Sequence, residues 1–419
     1  MADDLPPGVR VVKMMADAEG LGHAHDAQGE CSFLLAGPDR QVAASGMRRL
    51  LPAGSADTLG ERVAAFFAGQ RDPSAPALLV GAIPFDRQAD DMLFQPDRLL
   101  AAVPQPRPWQ PGHHWQVQAQ PTRAGYEQAV ARALELIAQS SSASPAPGDA
   151  LSKIVLSRSL LLQSDAPLDP MALSARLGQD RGVVRFVTPL PAGADGAPRH
   201  LVGATPELLL SKNGSTILSH PLAGSARRSR VAAEDRQAAQ SLRQSAKDQR
   251  EHRWVVEAIL DILAPYCTEL SAPDLPELIS TCTMWHLGTR IEGRLKDAGG
   301  VSAAELAAAL HPTPAVGGVS RDRAMALIPQ LETYDRGFYA GAVGWTDGAG
   351  DGAWYVSLRC AEVSGRRARV YAGAGVVEGS VPAEEAAETS AKLQAILLAL
   401  GVDEQGRPVP DAAATSPSA

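Results

Sequence analysis

Acidic side chains follow one face of the last helical pattern in the chain. Glu385, Glu388 and Lys392 are spaced i, i+3 and i+7, so they share a helix face. Two carboxylates on neighbouring positions repel each other unless a cation lies near them. In the run SAKDQREHR, Asp248 and Glu251 crowd one turn of an earlier helical pattern in the same way. These residues indicate either a solvated, charged surface or a cation site, and the helices alone favour the surface.

A glycine-rich strand end precedes that last helix. Gly373 and Gly375 in the run AGAGVVEG would allow backbone N–H groups to approach an anion closely. The third glycine is misplaced for the dinucleotide-binding pattern GxGxxG, and the sequence has no GxxxxGK phosphate-binding loop. Taken alone, the run is a weak indication of an anion site.

Other candidate groups have simpler explanations. His23, His25, His113 and His114 have no carboxylate at metal-ligand spacing, which is typical of surface residues. Ser225 lacks the GxSxG pattern of a serine nucleophile. The four scattered cysteines form no CxxC pair, so neither a disulfide framework nor a zinc ribbon is expected.

The composition is that of an ordinary globular protein. The 419 residues include 39 Lys and Arg against 47 Asp and Glu, a formal net charge of -8, whereas nucleic-acid-binding proteins usually show a basic balance. The acidic start MADDLPPGVR lacks the apolar segment of a secretory signal. No apolar run reaches the roughly 18 residues of a membrane span. We therefore expect a cytoplasmic protein that binds neither nucleic acid nor a membrane.

Helical and strand-like patterns alternate along the chain. The predicted helices span residues 58–70, 122–140, 241–263, 301–310 and 383–400. The predicted strands span residues 31–37, 77–85, 113–121, 153–162, 200–212, 339–345, 352–363 and 368–377. Many antiparallel strands with long helices between them predict an α+β fold.

The last two-thirds of the chain carries ten strings in a fixed order. They are KIVLSRS, ATPELLLSK, HPLAGSARR, SAKDQREHRWVVE, MWHLGTRIEG, HPTPAVGG, YDRGFYAGAVGW, VSLRCAEV, YAGAGVVEGS and EEAAETSAKL. Together they resemble the chorismate-utilising enzymes, a family of isochorismate, salicylate, anthranilate and aminodeoxychorismate synthases. The resemblance covers residues 122–400 and implies large antiparallel sheets packed together and flanked by helices.

This resemblance also implies a division of the chain. Residues 1–115 would form a loosely matched N-terminal part of the fold, and residues 116–402 would form the chorismate-binding catalytic region. The Pro/Ala/Ser-rich residues 403–419 are expected to be a disordered tail.

A few positions distinguish the branches of the family. Lys153 stands where amine-transferring members usually carry Gln and water-adding members carry Lys. Ala223 stands where aminodeoxychorismate synthases tend to carry a reactive Lys, and Ala315 is similar to isochorismate synthases. Tyr339 is found in salicylate-forming relatives, which keeps a salicylate synthase as an alternative. An anthranilate synthase subunit with a glutaminase partner and a non-catalytic chorismate binder are further alternatives.

The chemistry implied by the resemblance is the addition of water at C2 of chorismate with loss of the C4 hydroxyl. The incoming water needs a base and the leaving hydroxide needs an acid. Lys153 would be the base, although a free lysine with a pKa of about 10.4 is a poor one unless burial or a nearby cation lowers that pKa. Glu207 would be the acid if apolar surroundings keep its carboxyl protonated.

The resemblance further implies which residues bind the substrate and the metal. The implied substrate-binding residues are Gly224, Ser225, His286, Ala315, Tyr339, Arg359, Gly373, Gly375 and Lys392. Glu251 and Glu388 are the implied Mg²⁺ ligands, and Glu385 and Asp248 are implied to act on the same metal through water. We expect a monomer without an obligatory protein partner, since no glutaminase is needed, and a role in siderophore or menaquinone biosynthesis.

Overall fold

The computed structural model of the chain describes residues 31–38, 40–109, 114–142, 150–178, 180 and 182–409. Within these residues the secondary structure comprises 22 strands and eight α-helices. The strands of the first half are β1 (Cys31–Ala36), β2 (Gln41–Ser45), β3 (Arg49–Leu50), β4 (Leu78–Ile83), β5 (Met92–Gln95), β6 (Arg98–Leu99), β7 (Trp115–Gln120), β8 (Lys153–Ser164), β9 (Val184–Leu190), β10 (Arg199–Thr205) and β11 (Leu208–Asn213). The strands of the second half are β12 (Thr216–His220), β13 (Leu222–Arg227), β14 (Cys267–Ser271), β15 (Glu277–Ser280), β16 (Met284–Gly288), β17 (Ile291–Leu295), β18 (Gly318–Val319), β19 (Ala342–Asp347), β20 (Gly352–Val356), β21 (Cys360–Ser364) and β22 (Arg367–Val377).

The helices lie between these strands and at the C-terminal end. They are α1 (Leu59–Ala68), α2 (Arg123–Ser142), α3 (Pro170–Leu177), α4 (Ala232–Gln244), α5 (Ala246–Leu263), α6 (Ala303–Leu310), α7 (Arg321–Leu331) and α8 (Pro382–Leu400). None of these helices is both long enough and apolar enough to cross a membrane.

Among the described residues, all strand pairs are antiparallel, and the strands form three sheets. The first sheet has the order β18-β8-β22-β21-β10-β9-β1-β2-β6, with β7 also paired to β8. The second sheet has the order β14-β17-β12-β11-β20-β19-β4-β5-β3, and β13, β16 and β15 form a small third sheet. The predicted α+β fold with large antiparallel sheets flanked by helices is therefore confirmed.

Alternating side chains of the first sheet point to different layers. On one face, Phe33 and Phe186 are fully buried in the same apolar cluster as Phe94 and Trp354 of the second sheet. On the other face, Val370 packs in a separate cluster with side chains of α8 and α3. Because successive residues of a strand alternate between faces, each strand of this sheet supports both layers.

The N-terminal strands belong to the same sheets as the rest of the chain. Strands β1, β2 and β6 extend the first sheet, and β3, β4 and β5 extend the second. The described part of residues 1–115 therefore completes both large sheets.

Two predicted helices agree with the structure to within two residues at each end. The pattern 122–140 corresponds to α2, where the Thr122 Oγ1 accepts a hydrogen bond from the Gly125 N–H at 3.1 Å. The pattern 383–400 corresponds to α8, which ends at Gly401 with φ +81°. A left-handed residue at that position is typically glycine, which has no Cβ to clash.

Two predicted strands are wrong as single elements. The stretch 200–212 is divided at Pro206 and Glu207 into β10 and β11, which belong to different sheets. Proline cannot donate a backbone hydrogen bond, so a strand ends there readily. The stretch 352–363 is divided into β20 and β21, because Arg359 has a left-handed backbone with φ +47° that no regular strand accommodates.

The predicted helix 241–263 is also divided. Ser245 has an extended backbone with φ −68° and ψ 111°, which separates α4 from α5. Its Oγ accepts a hydrogen bond from the Asp248 N–H at 3.2 Å and so caps α5. The periodic apolar pattern continued through this position and concealed the cap.

The expected disorder of residues 403–419 does not extend to the first part of that segment. Residues 402–409 form a turn in which Val402 pairs with Pro408. Glu404 in this turn pairs with the Arg158 guanidinium at 3.1 Å. A buried arginine requires a counter-ion, which this segment supplies. Residues 410–419, together with His23, His25 and His113, lie outside the described residues, whereas His114 is exposed as expected.

Candidate active site

One pocket contains nearly all of the predicted site residues. Its walls come from β8, β13, β16, β22, α5 and α8, together with the breaks at 206–207 and 358–359. The predicted residues that line it are Glu207, Gly224, Ser225, Asp248, Glu251, His286, Ala315, Tyr339, Arg359, Gly373, Gly375, Glu385, Glu388 and Lys392. Residues separated by up to 185 positions along the chain therefore meet at one place, since 207 and 392 both belong to the set.

Lys153 lies directly behind this lining. It is the first residue of β8 and its exposed fraction is 0%. Its Nζ is 2.9 Å from Glu251 Oε1, but it makes no well-directed hydrogen bond to any atom of the described residues. The ammonium is thus held next to the pocket by charge attraction to one carboxylate, with donor capacity to spare.

Gly375 provides the space for this ion pair. A Cβ added at this position would lie 2.5 Å from Glu251 Oε1 and 3.1 Å from Lys153 Cε. No side chain fits there without displacing the pair. The glycine is therefore required for close packing against Lys153 and Glu251.

Glu207 occupies the break between β10 and β11. Its main chain is fixed by the Val356 N–H, which donates to the Glu207 carbonyl at 3.1 Å, and its side chain is 3% exposed. Burial raises the pKa of this carboxyl to about 8, against the opposing effects of the Lys153 and Lys392 ammonium groups and the Leu222 N–H. Most of the Glu207 side chains are therefore protonated at neutral pH, which is the state that a general acid requires.

Each of the three carboxylates implied as metal ligands is paired with a different lysine. The shortest N–O distances are 2.9 Å for Lys153–Glu251, 2.9 Å for Lys247–Glu385 and 2.7 Å for Lys392–Glu388. Ser225 Oγ also donates to Glu388 Oε1 at 2.8 Å. The acidic helix faces are therefore parts of a neutralised pocket rather than a solvated surface.

The two carboxylates of α8 respond differently to these surroundings. Burial raises the pKa of Glu385, and the neighbouring Glu388 carboxylate raises it further, while Lys247 opposes the rise. Burial would also raise the pKa of Glu388, but the Lys392 ammonium and the Ser225 hydroxyl together hold it below its ordinary value. Glu388 is thus the better stabilised anion of the pair.

The donor chemistry of this region fits Mg²⁺. Glu251, Glu385, Glu388 and Asp248 supply carboxylate oxygens from α5 and α8 to one pocket, and a hard cation prefers such ligands. Across the described part of the chain, however, no three acidic, histidine or cysteine side chains are arranged as a complete metal site. Mg²⁺ often takes only one or two protein carboxylates and completes its shell with water and substrate oxygens.

Gly373 and Gly375 expose backbone N–H groups at the open edge of β22. They pair with Ser157 and Val155 of β8, whose own N–H groups bond instead to Glu332 and Gly317. Antiparallel pairs alternate between bonded and non-bonded, so the polar groups of both glycines face away from β8. The Gly373 carbonyl accepts from Lys392 Nζ at 2.9 Å, which places that lysine beside the two N–H groups.

Arg359 and His286 form a buried cationic contact at the opposite side of the lining. The Arg359 guanidinium donates to His286 Nε2 at 2.6 Å. A guanidinium can only donate, so this ring nitrogen must carry a lone pair. Burial and the Arg359 charge both lower the pKa of His286, and burial lowers the pKa of Arg359 to about 10. His286 is therefore a neutral acceptor that orients Arg359.

Comparison with known proteins decides the family. A model of chorismate-binding enzymes matches residues 83–401. The chain belongs to the chorismate-binding enzyme family. The match begins within the part that the sequence resemblance covers only loosely, and it includes every predicted site residue.

Relatives in this family match over most of their length. The chain is 42% identical to isochorismate synthase DhbC of Bacillus subtilis (strain 168), over 89% of this chain and 94% of that protein. It is 39% identical to the vibriobactin-specific isochorismate synthase of Vibrio cholerae, over 80% and 82%. The crystal structure of DhbC from Bacillus anthracis, a candidate 2,3-dihydroxybenzoate-specific isochorismate synthase, matches with a TM-score of 0.80 and 38% identity over 90% and 98% of the chains.

Three charged or aromatic residues in the pocket of this chorismate-binding enzyme escaped the sequence analysis. Lys247 stands four positions before Glu251 on α5, a spacing that could have revealed it. Tyr371 stacks on Tyr339 with ring centroids 4.8 Å apart and nearly parallel planes. Arg336 is a buried residue of the lining. Its carboxylate partner Glu332 lies four positions before it, whereas only the tertiary structure brings it to the carbonyls of Val155 and Val316.

Arg336 connects the strand of Lys153 to the loop of Ala315. Its guanidinium donates to the carbonyls of Val155 at 2.7 Å and Val316 at 2.9 Å. It also contacts Glu332 at 2.6 Å. This arginine therefore fixes two parts of the lining relative to each other.

Proposed function

We propose that this protein is an isochorismate synthase that requires Mg²⁺. The reaction adds the oxygen of a water molecule at C2 of chorismate and releases the C4 hydroxyl as water, so the net change is an isomerisation. The observation that carries the proposal is that a fully buried lysine, Lys153, and a buried carboxyl, Glu207, whose pKa burial raises to about 8, lie beside the same pocket. These are the two groups that the exchange needs.

Lys153 in its amine form takes the proton of the attacking water. Glu207 gives its proton to the departing hydroxyl and becomes a carboxylate, and solvent restores both groups afterwards. The presence of lysine at position 153, where family members that use ammonia usually carry glutamine, favours water as the nucleophile. The complete burial of Lys153 supports this role, because lysine side chains are rarely fully buried in proteins.

The two carboxylates of chorismate require positive partners in a protein of net negative charge. Arg359 suits one of them, because its planar guanidinium can donate two parallel hydrogen bonds. Lys392 and the N–H groups of Gly373 and Gly375 suit the other. Gly224, with φ +78°, gives the β13 backbone a bend beside Ser225 that a side chain would strain.

Mg²⁺ would be held by Glu251 and Glu388, with Glu385 and Asp248 nearby. When bound, the ion would neutralise carboxylate charge on the substrate and stabilise negative charge in the transition state. Tyr339, Tyr371 and Ala315 form the uncharged part of the lining against which the ring would lie.

Incubation of the purified protein with chorismate and Mg²⁺, followed by chromatography, tests the proposal. Isochorismate is the expected product, and its absence would reject the proposal. Salicylate and pyruvate formed in equal amounts would instead identify a salicylate synthase, for which Tyr339 in the pocket is the supporting residue. Anthranilate formed only with ammonia would identify the amine-transferring branch.

We further propose that the enzyme acts in the cytoplasm as a monomer. Its product would enter siderophore or menaquinone biosynthesis. Sedimentation of the purified protein tests the monomer. A deletion strain that fails to grow only when an iron chelator is added would indicate the siderophore pathway, and one whose growth is restored by menaquinone would indicate the menaquinone pathway.

A further inference from the structure

Lys247 differs from the other two lysines of the pocket because the proposed reaction gives it no part. It lies in the first turn of α5, and its Nζ is 2.9 Å from Glu385 Oε1. Asp248 and Glu251 are further carboxylates that act on its charge. Lys153 and Lys392 hold Glu251 and Glu388 in the same manner, but both have a role in the proposed chemistry.

The two ends of the Lys247–Glu385 pair differ in their access to solvent. The Glu385 side chain is 4% exposed, whereas the Lys247 side chain is 35% exposed. The lysine has a flexible four-carbon stem and can turn its ammonium outward into water. Glu385 has no such alternative, since it lies on the buried face of α8.

A divalent cation and an ammonium compete for the same carboxylate. Both are attracted to the oxygens of Glu385, and each raises the free energy of placing the other there. The carboxylates of the pocket stand apart on their lysine partners, and no complete metal site is assembled in the described part of the chain. Both the separate lysine pairs and the incomplete metal site are explained if the lysine ammonium groups take the place of the metal cation in the metal-free protein.

We propose that Lys247 is an internal counter-ion that holds Glu385 in the metal-free enzyme and weakens the binding of Mg²⁺ by competing with it. The inference rests on the proposed function only in taking this pocket as the place where Mg²⁺ binds. Lys247 must leave Glu385 before the carboxylate can face the metal. Its position at the exposed side of the pocket provides the path for that movement.

The test is a calorimetric titration of the full chain with MgCl₂ at constant ionic strength, without chorismate. Lys247→Met removes the charge but keeps the length of the side chain, and we expect it to bind Mg²⁺ about tenfold more tightly than the unaltered protein. Lys247→Arg keeps the charge and should bind no more tightly than the unaltered protein. Lys247→Met affinity within twofold of the unaltered protein, or weaker, would overturn the proposal, as would the absence of Mg²⁺ binding by both proteins.

Lys212→Met is the matched control. Lys212 is a buried lysine that pairs with Asp351 at 2.9 Å outside the pocket, so its removal should leave the Mg²⁺ affinity unchanged. An equal gain in affinity from Lys212→Met would mean that only the net charge matters, and the proposal would fail. If Lys247→Met does not fold, Lys247→Gln serves in the same titration.

Turnover of chorismate by the same preparations separates the two proposals. If no isochorismate forms but Lys247→Met shows the expected gain in Mg²⁺ affinity, the proposed function is rejected and the proposed role of Lys247 stands. If isochorismate forms but Lys247→Met binds Mg²⁺ no more tightly, the proposed role of Lys247 is rejected and the proposed function stands.

Discussion

Two groups of paired charges lie side by side in this molecule and differ in how each charge is neutralised. In the wall of the pocket, the Glu332 and Arg336 side chains are each 2% exposed and form a two-point ion pair. The Ser157 N–H and Oγ also donate to Glu332. In the pocket, each of three carboxylates meets a lysine through a single oxygen.

This difference separates a structural ion pair from an exchangeable one. The guanidinium of Arg336 is fixed in a plane by two carbonyls and one carboxylate, so no other cation can replace it without loss of several hydrogen bonds. An ammonium is a compact charge on a flexible stem, and a metal or a substrate can take its place. The first group holds the walls of the pocket, and the second can be rearranged when a ligand binds.

The largest expected effect is that of Lys153→Ala on turnover. Loss of the base should lower kcat by about 10³-fold, within the range usual for acid–base groups, while the fold persists. Steady-state kinetics and the far-ultraviolet circular dichroism spectrum would measure both. Lys212→Ala removes another buried lysine that lies outside the pocket, and it should keep normal turnover. Near-normal turnover of Lys153→Ala would mean that the base is another group.

Glu332→Ala should have the largest effect on stability. It leaves the buried Arg336 charge without its partner, which costs about 3–5 kcal/mol in the free energy of unfolding. Glu385→Ala should cost less than about 1 kcal/mol, because it also removes the repulsion from Glu388. Urea unfolding measures both, and equal losses would contradict the distinction between the two groups of charges.

Glu388→Ala should raise the Mg²⁺ concentration needed for half-maximal turnover by about 10- to 100-fold. Glu388 is the better stabilised anion of the two on α8, so its loss removes the more permanent of their negative charges. The matched control is Glu384→Ala, an exposed glutamate of the same helix that does not line the pocket. A Mg²⁺ titration that is the same for Glu388→Ala and Glu384→Ala would remove Glu388 from the ligand set.

The smallest effect is the dependence of stability on the ionisation of Glu207. The pKa of Glu207 is raised to about 8 in the folded protein. Between the ordinary pKa of a glutamate and pH 8, the folded state therefore binds more protons than the unfolded state. The free energy of unfolding falls as the pH rises through that window. Between pH 7 and pH 8 the free energy of unfolding of the unaltered protein should fall by about 1 kcal/mol more than that of Glu207→Gln, because an amide does not ionise. Thermal unfolding at both pH values would measure it, and parallel losses in the two proteins would show that Glu207 is already ionised at pH 7.

The sequence predicted the regular elements well and failed where the chain breaks to form the site. Two breaks place Glu207 and Arg359 at the pocket, and a third places Ser245 as the cap before Lys247. Apolar periodicity continues through all three positions, so a pattern based on period alone extends the element across them. Local rules commonly fail at functional sites, because the backbone there is shaped to aim a side chain.

The sequence alone was enough for the family, the class of fold and all of the charged pocket residues except Lys247 and Arg336, because motif strings in a fixed order are properties of the chain itself. It could not assign Lys153 to Glu251, or Lys247 to Glu385, since these partners are separated by 98 and 138 positions and meet only when β8, α5 and α8 have packed together. It also could not decide the protonation of Glu207, which depends on how much water remains around the carboxyl. Coulomb energy and desolvation depend on distance and burial, and only the tertiary structure sets those two quantities.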